Sequence, residues 1–238
     1  MIVFDIETMP FPEEQLRTLY QKPTYEEFAV SCDQRWKDET KQKKFEEAKE
    51  TGWQKFVERA ALRPTTGRVL AIGYYSVAKD KVQVDHLPDN PNQPGVVATC
   101  PDNHEARLLA NFWRAFEAAA RQSRSMVGVN IFEFDLPFLA RRSWMLNVEV
   151  PHEAWDGKWW HRAFVDLSRR WLCGQRFGSE PASFDTLAAA LRTQGKPEGM
   201  NGGDFHRVWS EDREAALAYL ANDVRQPAIW AERMGVVA

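Results

Sequence analysis

The first seven residues constrain the chain most. In Ile2-Val3-Phe4-Asp5-Ile6-Glu7, Ile2, Phe4 and Ile6 alternate with Val3, Asp5 and Glu7. Strand side chains alternate between faces, so this segment predicts a strand with one apolar face. Its other face begins apolar and ends in two acids. Residues i and i+2 of a strand point the same way, so Asp5 and Glu7 share that face. Two like charges buried so close cannot both ionise cheaply without a cation. Oxygen donors of this kind suit Mg²⁺ or Mn²⁺. The plainer alternative is an exposed strand end that happens to carry two acids.

The rest of the chain reads as strands and helices interleaved. Residues 10–66 predict a helical insertion after the first strand. Within it Lys41–Leu62 has Phe45, Ala48, Trp53, Phe56, Val57 and Ala60 at helical spacing among many Lys and Glu. That stretch reads as a surface helix, or alternatively as a mobile lid. After the turn signal Pro64-Thr65-Thr66-Gly67, the run Val69–Val77 predicts a strong strand, with Val82–Leu87 pairing to it as a hairpin. The loop to Asn103 is rich in Pro, Asn and Gly. An amphipathic helix is expected over His104–Arg121, burying Leu108, Leu109, Phe112, Trp113 and Phe116. A short buried strand follows at Met126–Val129, then a helix over Phe134–Leu146, where Pro137 is tolerated only in the first turn. Residues 147–163 read as irregular and Trp-rich. They lead to a strand at Phe164–Leu167 and a helix from about Phe184, capped by Ser183. A Gly-rich loop, Gly195 to Gly203, precedes a last helix over Asp212–Arg233. The pattern predicts an α/β domain with a mixed sheet and helices on its faces.

Two further segments carry acids. In Val127-Gly128-Val129-Asn130-Ile131-Phe132-Glu133-Phe134-Asp135, a buried strand ends in a turn and Asp135 opens the next helix. The helix dipole favours a carboxylate there, and Asn130 suits a turn, so each has a purely structural explanation. The same position aims Asp135 at the end of a neighbouring strand. In Tyr219-Leu220-Ala221-Asn222-Asp223, Tyr and Asp at i and i+4 share one helix face. Singly each pattern is common. Together, in this order, they resemble the DEDD superfamily of exonucleases, tyrosine-type subgroup. Its D-x-E motif matches Asp5 and Glu7, followed by Thr8. Its N-x-x-x-F-D segment matches Asn130, Phe134 and Asp135. Its Y-x-x-x-D motif matches Tyr219 and Asp223. The likeness spans residues 1–8 and about 67–235, and includes the loop Gly199-Met200-Asn201-Gly202-Gly203. Within the superfamily the chain is most similar to the proofreading domain of family B DNA polymerases and to free-standing bacterial exonucleases related to it. No polymerase domain is expected within these 238 residues.

The resemblance implies a ribonuclease-H-like fold in a single domain over residues 1–238. It also implies 3′→5′ hydrolysis of phosphodiester bonds to 5′-mononucleotides by a two-metal mechanism. Asp5 is expected to bridge two Mg²⁺ or Mn²⁺ ions, with Glu7 and Asp223 on the nucleophile side and Asp135 bound mainly through water. Tyr219 is expected to orient the attacking water. Thr8, Asn130 and Phe134 are expected to contact substrate. The expected partner is the 3′ end of a single-stranded nucleic acid, DNA before RNA. An exoribonuclease on the same fold and a non-catalytic nucleic-acid-binding module are the alternatives.

Composition bears on the substrate surface. The chain of 238 residues carries a net charge of −3, which excludes a uniformly basic binder but not a local basic groove. Residues 141–176 hold Arg141, Arg142, Lys158, Arg162, Arg169, Arg170 and Arg176 among Trp144, Trp155, Trp159, Trp160 and Trp171. Such a mixture can track phosphates and stack unpaired bases, so Trp159 and Trp160 are expected to bind substrate. Core packing of the tryptophans is the competing explanation. Asp166 could line the site or serve structure. The three cysteines, Cys32, Cys100 and Cys173, form no C-x-x-C pair, which argues against structural zinc and for a reducing, cytoplasmic setting. No secretory leader, membrane span, repeat or low-complexity segment is expected.

Overall fold

The computed structural model describes residues 1–236 apart from 23, 34, 89–103, 177, 197–202 and 204. β1 (Ile2–Pro10) leads into three helices, α1 (Glu13–Leu19), α2 (Tyr25–Ser31) and α3 (Asp38–Glu58). The chain returns through the hairpin β2 (Gly67–Ser76) and β3 (Lys81–His86) to α4 (His104–Arg121). Then come β4 (Met126–Gly128), α5 (Asp135–Met145), a small hairpin of β5 (Trp155–Asp156) and β6 (Trp159–Trp160), and β7 (Phe164–Asp166). The rest is helical: α6 (Leu167–Trp171), α7 (Phe184–Ala190), α8 (Phe205–Glu211) and α9 (Arg213–Arg233). Among the described residues no helix is long and apolar enough to cross a membrane.

The main sheet has the order β3-β2-β1-β4-β7. β1 runs antiparallel to β2 and β2 to β3, whereas β1, β4 and β7 are parallel. This mixed five-stranded sheet flanked by helices is the expected ribonuclease-H-like arrangement. β1 is central because it is buried on both faces: Val3, Phe4 and Ile6 are all under 5% exposed. On one side Phe4 packs against Phe112 of α4 and Phe164 of β7. On the other side lies α9. Gly73, paired with Asp5 across β1 and β2, permits that approach. A Cβ there would come within 2.8 Å of Leu220 Cγ and 3.1 Å of Val224 Cγ1.

Several elements differ from expectation. The insertion holds three helices where one was expected. α2 starts at a capping box in which the Thr24 hydroxyl accepts from the Glu27 amide and the Glu27 carboxylate from the Thr24 amide. The stretch 147–163 is not wholly irregular: Trp155 pairs with Trp160 and Asp156 with Trp159. α6 forms because the Asp166 carboxylate accepts from the Ser168 and Arg169 amides, capping a helix only five residues long. α8 is held by Phe205 and Trp209, one turn apart on its buried side. The loop segment 199–202 and Cys100 lie outside the described residues.

Candidate active site

Strand β1 and helix α9 bring the acids together. Oxygens of Asp5, Glu7 and Asp223 all lie within 4.8 Å of one another. Strand alternation sets the first two, and the close packing over Gly73 sets the third. Asp135 completes the cluster from the start of α5, where its Oδ1 accepts the Ile6 amide at 3.2 Å. Glu7, Asp135 and Asp223 are buried, while Asp5 is partly open to a cleft of about 410 Å³.

Burial, then mutual repulsion, raises these carboxyls. Asp5 is pushed well above its usual range by desolvation and by Asp135 and Asp223. Glu7 is raised by desolvation and by Asp5 and Asp223. Desolvation takes Asp135 to about 7, against hydrogen bonds from backbone amides. Asp223 is raised by burial, opposed by Lys196 and by hydrogen bonds from Tyr219 and Asn222. Lys196 is the basic residue that sequence reading missed. Its Nζ lies 2.9 Å from Asp223 Oδ2 and donates to the Tyr219 hydroxyl at 2.5 Å. Burial lowers its pKa, but Asp223 and Asp5 outweigh that, so the net shift is upward and the ammonium is held charged. Tyr219 is buried and raised by desolvation and by Asp223, so its hydroxyl stays protonated.

The donor set fits divalent cations. All four side chains are hard oxygen donors, the kind Mg²⁺ and Mn²⁺ take. Asp223 Oδ1 is buried without a hydrogen-bond partner among the described residues, as is Asn130 Oδ1 in the same cleft. An orphaned carboxylate oxygen inside a cluster of like charges is costly unless something positive meets it.

The sign of the Asp135 shift gives a test. The folded value, about 7, lies above the ordinary aspartate value of 3.8, so between these pH values the folded state binds more protons than the unfolded. Stability of the metal-free protein therefore falls as pH rises through that window. That rise corresponds to roughly 4 kcal/mol as a ceiling. Denaturant titrations in EDTA are expected to show a loss of a few kcal/mol between about pH 5 and pH 8, and millimolar Mg²⁺ is expected to remove most of it. A flat profile in EDTA would contradict this account of the cluster.

The other expected contacts are less uniform. Asn130 lines the cleft with a left-handed φ of 60°, its amide donating to Asp166 Oδ1. Asp166 itself is structural: it is buried and accepts from the Asn130, Phe132, Ser168 and Arg169 amides. Thr8 is buried in β1 beyond an irregularity after Glu7, and Phe134 precedes α5 with its ring on Phe138; neither lines the cleft. Trp159 and Trp160 are not brought to the carboxylates. The Trp160 ring packs on Phe164, and Phe164 on Phe4, so this hairpin lies across the sheet from Asp5. Trp160 stacks on Trp155 at 4.1 Å, and Trp159 is 69% exposed. Arg142, read as part of a basic rim, is buried against Glu105 instead. The far wall of the cleft was not anticipated. It is built by Gly178, Glu180, Ala182, Ser183 and Phe184, with Lys196 over the Phe184 ring.

No protein-family model and no curated protein sequence matches the chain. Among solved structures it is similar to the family B DNA polymerase from the hyperthermophilic archaeon Pyrobaculum calidifontis, with a TM-score of 0.56 at 16% identity. The match covers 98% of this chain and 24% of that one, so the chain spans about a quarter of the polymerase's length. At that identity the likeness establishes a shared fold for the architecture around these carboxylates.

Proposed function

We propose that the protein is a metal-dependent 3′→5′ exonuclease acting on single-stranded DNA or 3′ overhangs and releasing 5′-mononucleotides. The observation that carries this reading is the convergence of Asp5, Glu7 and Asp223 within 4.8 Å, beside Asp135, with Asp5 and Asp223 lining an open cleft. Asp5, Glu7 and Asp223 would hold two Mg²⁺ or Mn²⁺ ions, with Asp135 bound through water. Such ions supply charge neutralisation at the leaving oxygen and lower the pKa of an attacking water.

The chain's own groups do the positioning. Tyr219 keeps its proton, so it acts as an oriented hydrogen-bond partner for water and not as a base. Lys196 is the one cation among the described residues lining the cleft. Its ammonium, anchored on Asp223 and Tyr219, offsets the local negative charge and can meet a phosphate oxygen. Phe184 and Val129 give the cleft an apolar wall against which a terminal base can rest.

Matched DNA and RNA oligonucleotides, labelled at the 5′ end and incubated with Mg²⁺ or Mn²⁺, test the reading. Expected are a ladder shortening from the 3′ end, 5′-mononucleotide products, poor cutting of a 3′-phosphate terminus, and silence in EDTA. Faster digestion of the RNA would move the substrate class to RNA. Cutting of a circular single strand, or full activity in EDTA, would refute the proposal.

A further inference from the structure

Among the described residues the cleft of the carboxylates carries a single lysine, yet strong positive charge collects elsewhere. By register, Tyr74 of β2 lies opposite Phe4 on the α4 side of the sheet, across from the acids. Ser76 pairs with Lys81 and Tyr74 with Gln83, so Lys81, Gln83 and Asp85 share that side. α4 offers Asn111 and Arg114 in return. Polar groups on both layers leave an open cleft of about 470 Å³, with Lys79, Lys81, Arg114 and Arg124 around it and Asp85 as the opposing charge. A second hollow of about 510 Å³ adjoins it where α4 ends and the chain enters β7, lined by Arg121, Arg124, His161 and Arg162 against Glu153. Arg124 belongs to both.

Six cations thus face two carboxylates along one continuous band, a local charge of +4 on a chain of net −3. All six are exposed, and none is ion-paired among the described residues. Arg114 is held in place by the Ala110 carbonyl and Asn111 Oδ1. The Tyr74 phenol oxygen, in the first cleft, is buried without a partner among the described residues. A small anion would need these charges to converge on one point. They are instead spread over two walls and two hollows, which suits a chain bearing regularly spaced charges.

We infer that this band is a second nucleic-acid contact, holding the phosphodiester backbone of a single strand on the side of the sheet away from the carboxylates. It deepens the exonuclease reading by giving the part of the strand remote from the 3′ end somewhere to bind. From strand rise and layer spacing the two sites are on the order of 20 Å apart, so a trinucleotide can occupy only one.

The test compares wild type with Lys81→Glu/Arg121→Glu/Arg124→Glu, three exposed positions outside the catalytic cleft, with circular dichroism and melting used to verify the fold. A triple Met variant at the same positions serves if the Glu variant does not fold. Binding of a labelled thirty-nucleotide single strand is followed by anisotropy in EDTA. The variant is expected to bind at least about tenfold more weakly at low salt. Its slope of log K against log salt is expected to fall by about 2, at ~0.7 per lost contact. Cleavage of a trinucleotide in Mg²⁺ is expected to be unchanged. Wild-type affinity and slope in the variant would overturn the inference, as would displacement by polyglutamate as efficient as by unlabelled strand, which would assign the band to an acidic protein. Weakened binding with no trinucleotide cleavage by either protein would leave the band standing and remove the exonuclease reading.

Discussion

Asp5→Asn is expected to abolish hydrolysis while making the metal-free protein more stable at neutral pH. Both effects come from one cause. Asp5 lies among Glu7, Asp135 and Asp223, and each carboxyl is raised by burial before anything else. Without a cation the folded chain must keep protons on these groups or bear their repulsion, and neutralising one member relieves both. With cations, the same substitution removes a donor shared by the whole cluster. The loss of several kcal/mol of transition-state stabilisation lowers turnover on the order of a thousandfold or more. Asp223→Asn is expected to lose as much activity but gain less stability, because it also deprives Lys196 of its 2.9 Å partner. Tyr219→Phe supplies the graded comparison. The ring and its packing remain, and one positioning hydrogen bond is lost, at about 1–3 kcal/mol or roughly ten- to a hundredfold in rate. The measurement is single-turnover cleavage in Mg²⁺ beside urea titrations in EDTA at pH 7. An Asp5→Asn protein that cleaved like wild type would sink the metal mechanism. One that was inactive and also destabilised would mean that Asp5 holds the fold and is not a strained functional group.

What the sequence disclosed about this site follows periodicity. Asp5 and Glu7 could be paired because a strand repeats every two residues, and Tyr219 and Asp223 because a helix brings i and i+4 together. Asp135 could be placed because it opens a helix after a buried strand. These are local rules, and the sheet obeys them: the β2–β3 hairpin, α4, α7 with its Ser183 cap and the last helix lie where they were expected. Lys196 follows no such rule. It reaches Asp223 from a loop whose course depends on how α7 and α9 pack, and nothing in its neighbours' spacing marks it. The 178–184 wall is unreadable for the same reason. The tryptophans are a different case. Their exposure and stacking were plausible from composition, but which side of the sheet a two-residue hairpin occupies is decided by the Trp160–Phe164 contact. Arg142 fails because a charge in a sequence does not say whether its partner is water or a buried acid.

That last residue carries the largest stability effect expected outside the carboxylate cluster. Arg142 and Glu105 are each about 5% exposed at the side chain and meet bidentately, Nε to Oε1 at 2.8 Å and Nη2 to Oε2 at 2.6 Å. Glu105 Oε1 also accepts the Val69 amide at 2.9 Å, and Arg142 Nη1 donates to the Pro64 carbonyl at 3.1 Å. The guanidinium lies 5.2 Å from the centre of the Phe11 ring. One pair thus ties α4, α5, the start of β2 and the end of β1, the strand that carries Asp5 and Glu7. Arg142→Met keeps much of the volume but leaves Glu105 charged and buried, a change that typically costs about 3–5 kcal/mol. At about 2–4 °C per kcal/mol for a chain of this size, the midpoint of thermal unfolding is expected to drop by roughly 10 °C. Arg68, also close to Glu105, will recover part of that loss. Glu105→Gln/Arg142→Met removes both charges and is expected to cost distinctly less than Arg142→Met alone, since no acid is then stranded. Differential scanning calorimetry on the two variants checks the ordering. If the double variant melted below the single one, the pair would be stabilising in its own right, and the penalty would lie in lost hydrogen bonds to Val69 and Pro64, not in a stranded charge. Cleavage per folded molecule is expected to stay near wild type for the double variant, because neither side chain lines the cleft.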